Sequence, residues 1–156
     1  MTESTLTLQQ FADVQLLDDE GKPVSLADFV GKRTLIFFFP RADTPGCTTQ
    51  ACGFRDAFPR IQEANATVIG ISADPPKALA KWKEKQNLPY TLLSDPDHKI
   101  IEAFGAWGEK VNYGKKYMGI LRSHFVFGAD GKIEDTQIKI SPEKSIEKGV
   151  KTLIKG

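Results

Sequence analysis

The residues whose types and spacing invite chemistry lie in one segment, Pro40-Arg41-Ala42-Asp43-Thr44-Pro45-Gly46-Cys47-Thr48-Thr49-Gln50-Ala51-Cys52. Cys47 follows a loop rich in turn residues and opens a helical pattern. A cysteine in the first turn of a helix meets unpaired backbone N–H groups and the positive end of the helix dipole, and both favour the thiolate over the thiol. Cys47 is therefore a candidate nucleophile. Thr44, three residues earlier, can turn its hydroxyl toward the same sulfur, donating to the thiolate or to an incoming substrate oxygen. Pro40 supplies a rigid, donor-free wall. Cys52 is the only other thiol in the chain. A bridge between the two would close a very small loop, whereas the stabilisation from a structural disulfide grows with the loop it closes. Redox chemistry or plain burial as small apolar side chains are the readings that remain.

The elements that must position this segment are legible in the apolar pattern. Thr34 to Phe39 is a continuous apolar, β-favouring run, the signature of a central strand covered on both faces, and Pro40 ends it. From Cys47 the apolar positions Ala51, Phe54, Phe58 and Ile61 step by four, three, four and three, the stripe of an amphipathic helix that Pro59 kinks or divides. Upstream, Val14–Leu17 and Lys22–Ser25 predict a hairpin around Gly21. Downstream come a strand at Thr67–Ser72, a helix opened by Pro75-Pro76 with Leu79 and Trp82 inward, and a short strand at Thr91–Ser94. A helix around Ile100–Phe104 leads to a glycine-punctuated loop, Gly105 to Gly119. Ser123–Phe127 and Lys132–Ile138 then flank a second hairpin turn, and Ser141-Pro142 starts a last helix with Ile146, Val150, Leu153 and Ile154 as its buried face. Alternating strands and helices followed by an antiparallel hairpin and a helix predict an α/β layered sheet, thioredoxin-like with added elements.

At 156 residues the chain fits one domain, expected over residues 1–156, with no internal repeat or linker. Lysine and arginine total 21 against 20 acidic residues, so no net field recruits nucleic acid or an anionic membrane. The longest apolar run, Thr34 to Pro40, is far shorter than a membrane span, and Met1 to Phe11 lacks the pattern of a secretory signal. A cytoplasmic location is the expectation.

The string from Ala42 to Asp56 resembles the peroxiredoxins, whose signature is proline, three residues, threonine or serine, two residues, cysteine, met here by Pro40, Thr44 and Cys47. Within that family it is similar to the PrxQ subfamily, also called bacterioferritin comigratory protein. Gly31-Lys32, Trp107–Lys110 and Gly114–Ser123 are similar to the flanking stretches of the same subfamily. The resemblance implies a peroxiredoxin-type thioredoxin-like fold and a thiol peroxidase in which Cys47 attacks a peroxide and becomes a sulfenic acid. It implies that Arg122, on a neighbouring strand, holds a positive charge near the sulfur, and that Cys52 resolves the sulfenic acid as an intramolecular disulfide. A thioredoxin-like dithiol would recycle the enzyme, no metal or organic cofactor would be needed, and a monomer is favoured.

Geometry adds a condition. Residues five apart on an ideal helix are rotated by about 140° with Cα atoms roughly 8.7 Å apart, whereas a disulfide tolerates up to about 6.8 Å. The helix start must unwind before the two sulfurs can join. On the helical wheel Cys52 falls nearly opposite Phe54 and Phe58 and is expected to be fairly exposed, while Cys47 points to the core side. The nearest rival function, a thiol-disulfide oxidoreductase on the same fold, would want two cysteines separated by two residues, against four here. A non-catalytic binding module is the other. His124 departs from the subfamily, which commonly has threonine there; it shares a strand face with Arg122 and Val126, either as a tolerated strand residue or as a titrating neighbour of the site. His98 reads as a solvated residue, and the lysines at 110, 115 and 116 as a solvated loop.

Overall fold

A computed structural model describes residues 6–155. Met1–Thr5 and Gly156, the two ends of the expected domain, lie outside the described residues.

The strands in chain order are β1 (Leu16–Asp18), β2 (Pro23–Val24), β3 (Arg33–Phe38), β4 (Ala66–Ser72), β5 (Thr91–Ser94), β6 (Trp107–Asn112), β7 (Lys115–Ile120), β8 (Ser123–Phe127) and β9 (Ile133–Ile138). The helices are α1 (Pro45–Glu63), α2 (Pro76–Gln86), α3 (Lys99–Ala103) and α4 (Pro142–Lys155). Seven strands form one sheet in the order β2-β1-β5-β4-β3-β8-β9. Strand β3 pairs parallel with β4 and antiparallel with β8, so its backbone groups are satisfied on both sides. Its apolar run has the physical reason given by the sequence: Leu35, Phe37 and Phe39 face one core, with α1, α2 and α4, while Ile36 and Phe38 face the other, with α3 and the N-terminal segment.

Helix α1 begins at Pro45, two residues before Cys47, because proline is suited to the first helical position. Pro59 lies inside this helix without ending it. The apolar stripe holds, with Ala51, Phe54, Phe58 and Ile61 buried. The α1–α4 packing depends on Gly53, where a Cβ would fall inside the Ile146 side chain.

Among the elements, the structure departs from the sequence reading in one loop and in the burial of two side chains. Gly105 to Gly119 is not a loop: it holds the two-stranded sheet β6–β7. Its tip is Tyr113-Gly114, with φ of 52° and 79°, and two successive positive φ values match the turn that joins twisted strands. The turn residues are present, but the strands carry exposed Glu109, Val111, Lys115, Lys116 and Tyr117, so no apolar alternation reveals them. Ile154 is exposed, not buried, because it borders an open groove between α1 and α4 with Ile146 and Val150. Cys52 is half-buried, because the C-terminal end of α2 covers it.

Candidate active site

Cys47 sits at the third position of α1, where by geometry the backbone N–H groups of Gly46 and Cys47 have no partner within the helix. Its side chain is 1 % exposed, packed in the core cluster with Phe39 and Ala51. The loop before it is held by Asp74, whose carboxylate accepts from the Ala42 backbone N–H at 2.8 Å and from the Ser72 hydroxyl at 2.7 Å. Asp43 takes φ of 62° within this loop, a conformation aspartate tolerates better than most residues.

Strand β8 follows directly on Arg122, and Arg122 Nη1 lies 3.5 Å from Cys47 Sγ. The approach depends on Gly46, since a Cβ there would stand 3.0 Å from Arg122 Nη2. The same Nη1 donates to Gln50 Oε1 at 2.9 Å, which fixes the guanidinium one helical turn beyond the sulfur. Pro40 and Arg122 border an open cleft with Leu121, Lys110 and Lys139. Lys110 donates to the Ile120 carbonyl at 3.0 Å. Burial first, and Arg122 second, hold its ammonium below the ordinary lysine range, with Cys47 opposing them. Lys110 is thus part of the cleft wall rather than a solvated loop residue.

The Thr44 hydroxyl donates to the Arg41 carbonyl at 2.7 Å and not to Cys47, because the N-cap backbone conformation brings that carbonyl within reach. Its hydroxyl oxygen keeps lone pairs but its proton is engaged. Cys52 Sγ donates to Gln86 Oε1 at 3.5 Å, and Arg55 Nη1 donates to the Gln86 carbonyl at 2.8 Å. Both thiols are free.

Sequence reasoning passed over the residues that hold the start of α1. Trp82 Nε1 donates to Thr48 Oγ1 at 3.2 Å, and the Tyr90 hydroxyl donates to the Ala51 carbonyl at 2.6 Å. Burial, before any charge, raises the Tyr90 pKa well above the ordinary phenol value, so the hydroxyl remains a donor. Gln50 and Ser145, both fully buried, were also passed over. A polar residue on an otherwise apolar helix face is the signal that could have found Gln50; Ser145 had none. His98 stacks on Trp107 with ring centroids 3.9 Å apart. Among the described residues no three His, Cys, Asp or Glu side chains converge on a metal-sized site.

Residues 7–136 match the AhpC/TSA family. The chain is 52% identical to Peroxiredoxin Bcp of Escherichia coli (strain K12) over 119 residues, 76% of each protein. It is 41% identical to Peroxiredoxin Bcp of Bacillus subtilis (strain 168) over 145 residues, covering 93% of this chain and 92% of the relative. In three dimensions it superposes on the bacterioferritin comigratory protein of Xanthomonas campestris with a TM-score of 0.88 at 28% identity, covering 96% of this chain and 95% of that one. A thioredoxin-like sheet bearing these relationships defines a thiol peroxidase. The chain belongs to the AhpC/TSA family, within its Bcp or PrxQ peroxiredoxins.

Proposed function

We propose that this peroxidase reduces hydrogen peroxide and organic hydroperoxides through Cys47, with Cys52 as the resolving thiol. The Cys47 thiolate attacks one peroxide oxygen; the O–O bond breaks, the departing oxygen leaves as water or an alcohol after protonation, and Cys47 becomes a sulfenic acid. The observation that carries this reading is Arg122 Nη1 at 3.5 Å from Cys47 Sγ, at a helix start. A permanent cation there favours the thiolate and the negative charge that develops on the leaving oxygen. Pro40 shields the sulfur, and the Thr44 hydroxyl oxygen accepts from a protonated peroxide rather than donating to the thiolate.

Cys52 then attacks the sulfenic sulfur, forming the disulfide and releasing water. The first turns of α1 must open for this, since the helical Cα spacing of about 8.7 Å exceeds disulfide reach. A thioredoxin-like dithiol restores both thiols by exchange. No residue of the cycle calls for a metal or organic cofactor. The X. campestris relative is described by its alkyl peroxide reduction activity, which supports organic hydroperoxides as substrates here. The working form is one domain over residues 1–156, a monomer acting in the cytoplasm.

Reduced wild type should consume hydrogen peroxide rapidly while leaving insulin disulfides intact, and Cys47→Ser should consume none. Full peroxidase activity in Cys47→Ser would overturn the reading. Insulin reduction without peroxide consumption would favour the oxidoreductase alternative.

A further inference from the structure

Arg122 is tied to a chain of buried polar side chains that the chemistry above leaves unused. Beyond the Arg122–Gln50 bond, Gln50 Nε2 donates to Ser145 Oγ at 2.8 Å, and Ser145 Oγ lies 2.7 Å from His124 Nδ1. Gln50 on α1, Ser145 on α4 and His124 on β8 are each 0 % exposed. In a dry interior donors turn toward acceptors, and from Arg122 to His124 Nδ1 one order pairs every link.

The guanidinium has donors only and stays charged, so Gln50 must present its carbonyl oxygen to Arg122 and its amide NH₂ to Ser145. Ser145 Oγ therefore accepts from Gln50, and its single proton is directed to His124 Nδ1. That makes Nδ1 a bare acceptor and places the imidazole proton on Nε2. Independently, Nε2 faces Asp135 Oδ2 at 3.7 Å with no hydrogen-bond partner, an arrangement that suits an N–H beside a carboxylate.

We propose that Ser145 and His124 are positioning residues for the peroxide reaction: the Nε2–H form of His124 aims the Ser145 hydroxyl, which locks the Gln50 amide with its oxygen toward the guanidinium beside Cys47. The proposal rests on the reading of Cys47 as nucleophile and Arg122 as its cation. Without Ser145 the buried Gln50 NH₂ has no acceptor, the amide leaves the position in which both its ends are paired, and Arg122 loses its fixed place beside the sulfur. Protonating His124 has the same effect. Nδ1–H then donates to Ser145, and the serine proton loses its acceptor; turned to Gln50 it meets the amide NH₂, donor against donor, and the lock is weakened. The charged groups around the imidazole are Asp135 from β9 and Lys148 from α4. Burial outweighs the carboxylate and holds the His124 pKa at about 4, aided by Lys148, so the neutral order stands at physiological pH.

The test is single-turnover oxidation of Cys47 by hydrogen peroxide in Ser145→Ala, in Gln50→Glu and in the double variant, with circular dichroism confirming folding. Ser145→Ala should lower the second-order rate constant roughly tenfold or more, the scale set by a misplaced catalytic group. A glutamate at position 50 presents an oxygen to Arg122 either way round, so adding Ser145→Ala to Gln50→Glu should change the rate less than about twofold. An unchanged rate in Ser145→Ala, or an equal loss in both backgrounds, would overturn the proposal. Nitrogen-15 NMR of wild type at pH 7 should find the His124 proton on Nε2. Finding it on Nδ1 would reverse the order and overturn the proposal whatever the variants do. Failure of the underlying peroxidase reading would appear separately, as activity in Cys47→Ser.

Discussion

The guanidinium of Arg122 reaches Cys47 from 75 residues away in sequence, and one of its nitrogens serves both the sulfur and Gln50. A lysine would supply charge without the planar fork, so Arg122→Lys should lower the second-order rate with peroxide by about a hundredfold, the scale of losing one preorganised donor. Stopped-flow kinetics checks this, and a wild-type rate would remove the electrostatic role. His124 carries a stability prediction with a definite sign. Its folded pKa, about 4, lies below the ordinary 6.5, so as pH falls the unfolded chain takes up a proton that the folded chain refuses. The stabilisation is complete above pH 6.5 and is lost as pH falls toward 4. Urea unfolding at pH 7 and pH 5 should differ by roughly 2 kcal/mol from this group. In His124→Gln that contribution to the pH slope should vanish. Pro40, Thr44 and Cys47 stood out because their spacing is a local signature, whereas Arg122, 75 residues on, was reached only through resemblance to a family. The Ser145–His124 contact was not legible, because β8 and α4 meet only in the folded chain and a serine in a helix is unremarkable in sequence.

At the scale of the element, α1 has two tasks that pull against each other. It must be helical to set Cys47 in its first turn and, under the proposed cycle, must open there for Cys52. Tertiary contacts set that balance, notably Trp82 on Thr48 and Tyr90 on Ala51. Tyr90→Phe removes a buried hydrogen bond worth about 1 kcal/mol. Opening should become roughly fivefold more frequent, because 1.4 kcal/mol corresponds to a factor of ten. Disulfide formation should then speed up, and less Cys47 should reach the sulfinic state at high peroxide, as counted by mass spectrometry. Faster loss to sulfinic acid in that variant would contradict the latch role. The strands β3, β4, β5, β8 and β9 were legible because burial writes apolar runs or alternation into them. The β6–β7 pair was not, because most of its residues face solvent and only Tyr113-Gly114 marks the turn.

For the whole molecule, the sheet places β3, which leads into the Cys47 loop, beside β8, which follows Arg122, so one pairing joins the two halves of the site. The fold class was legible because the order of elements restricts a layered sheet to few arrangements. The strand order itself was not, since pairings such as β1 with β5 have no local signal. With both faces of the sheet covered by apolar cores, heat should unfold the chain in one transition, with far-ultraviolet and tryptophan signals coinciding. Two separated transitions would argue against a single domain. The central claim, a cycle in which Cys47 and Cys52 join by opening the start of α1, is tested most directly by mass spectrometry of peroxide-treated, alkylated protein. The account predicts one Cys47–Cys52 bridge within each chain, and free thiols after turnover or bridges only between chains would contradict it.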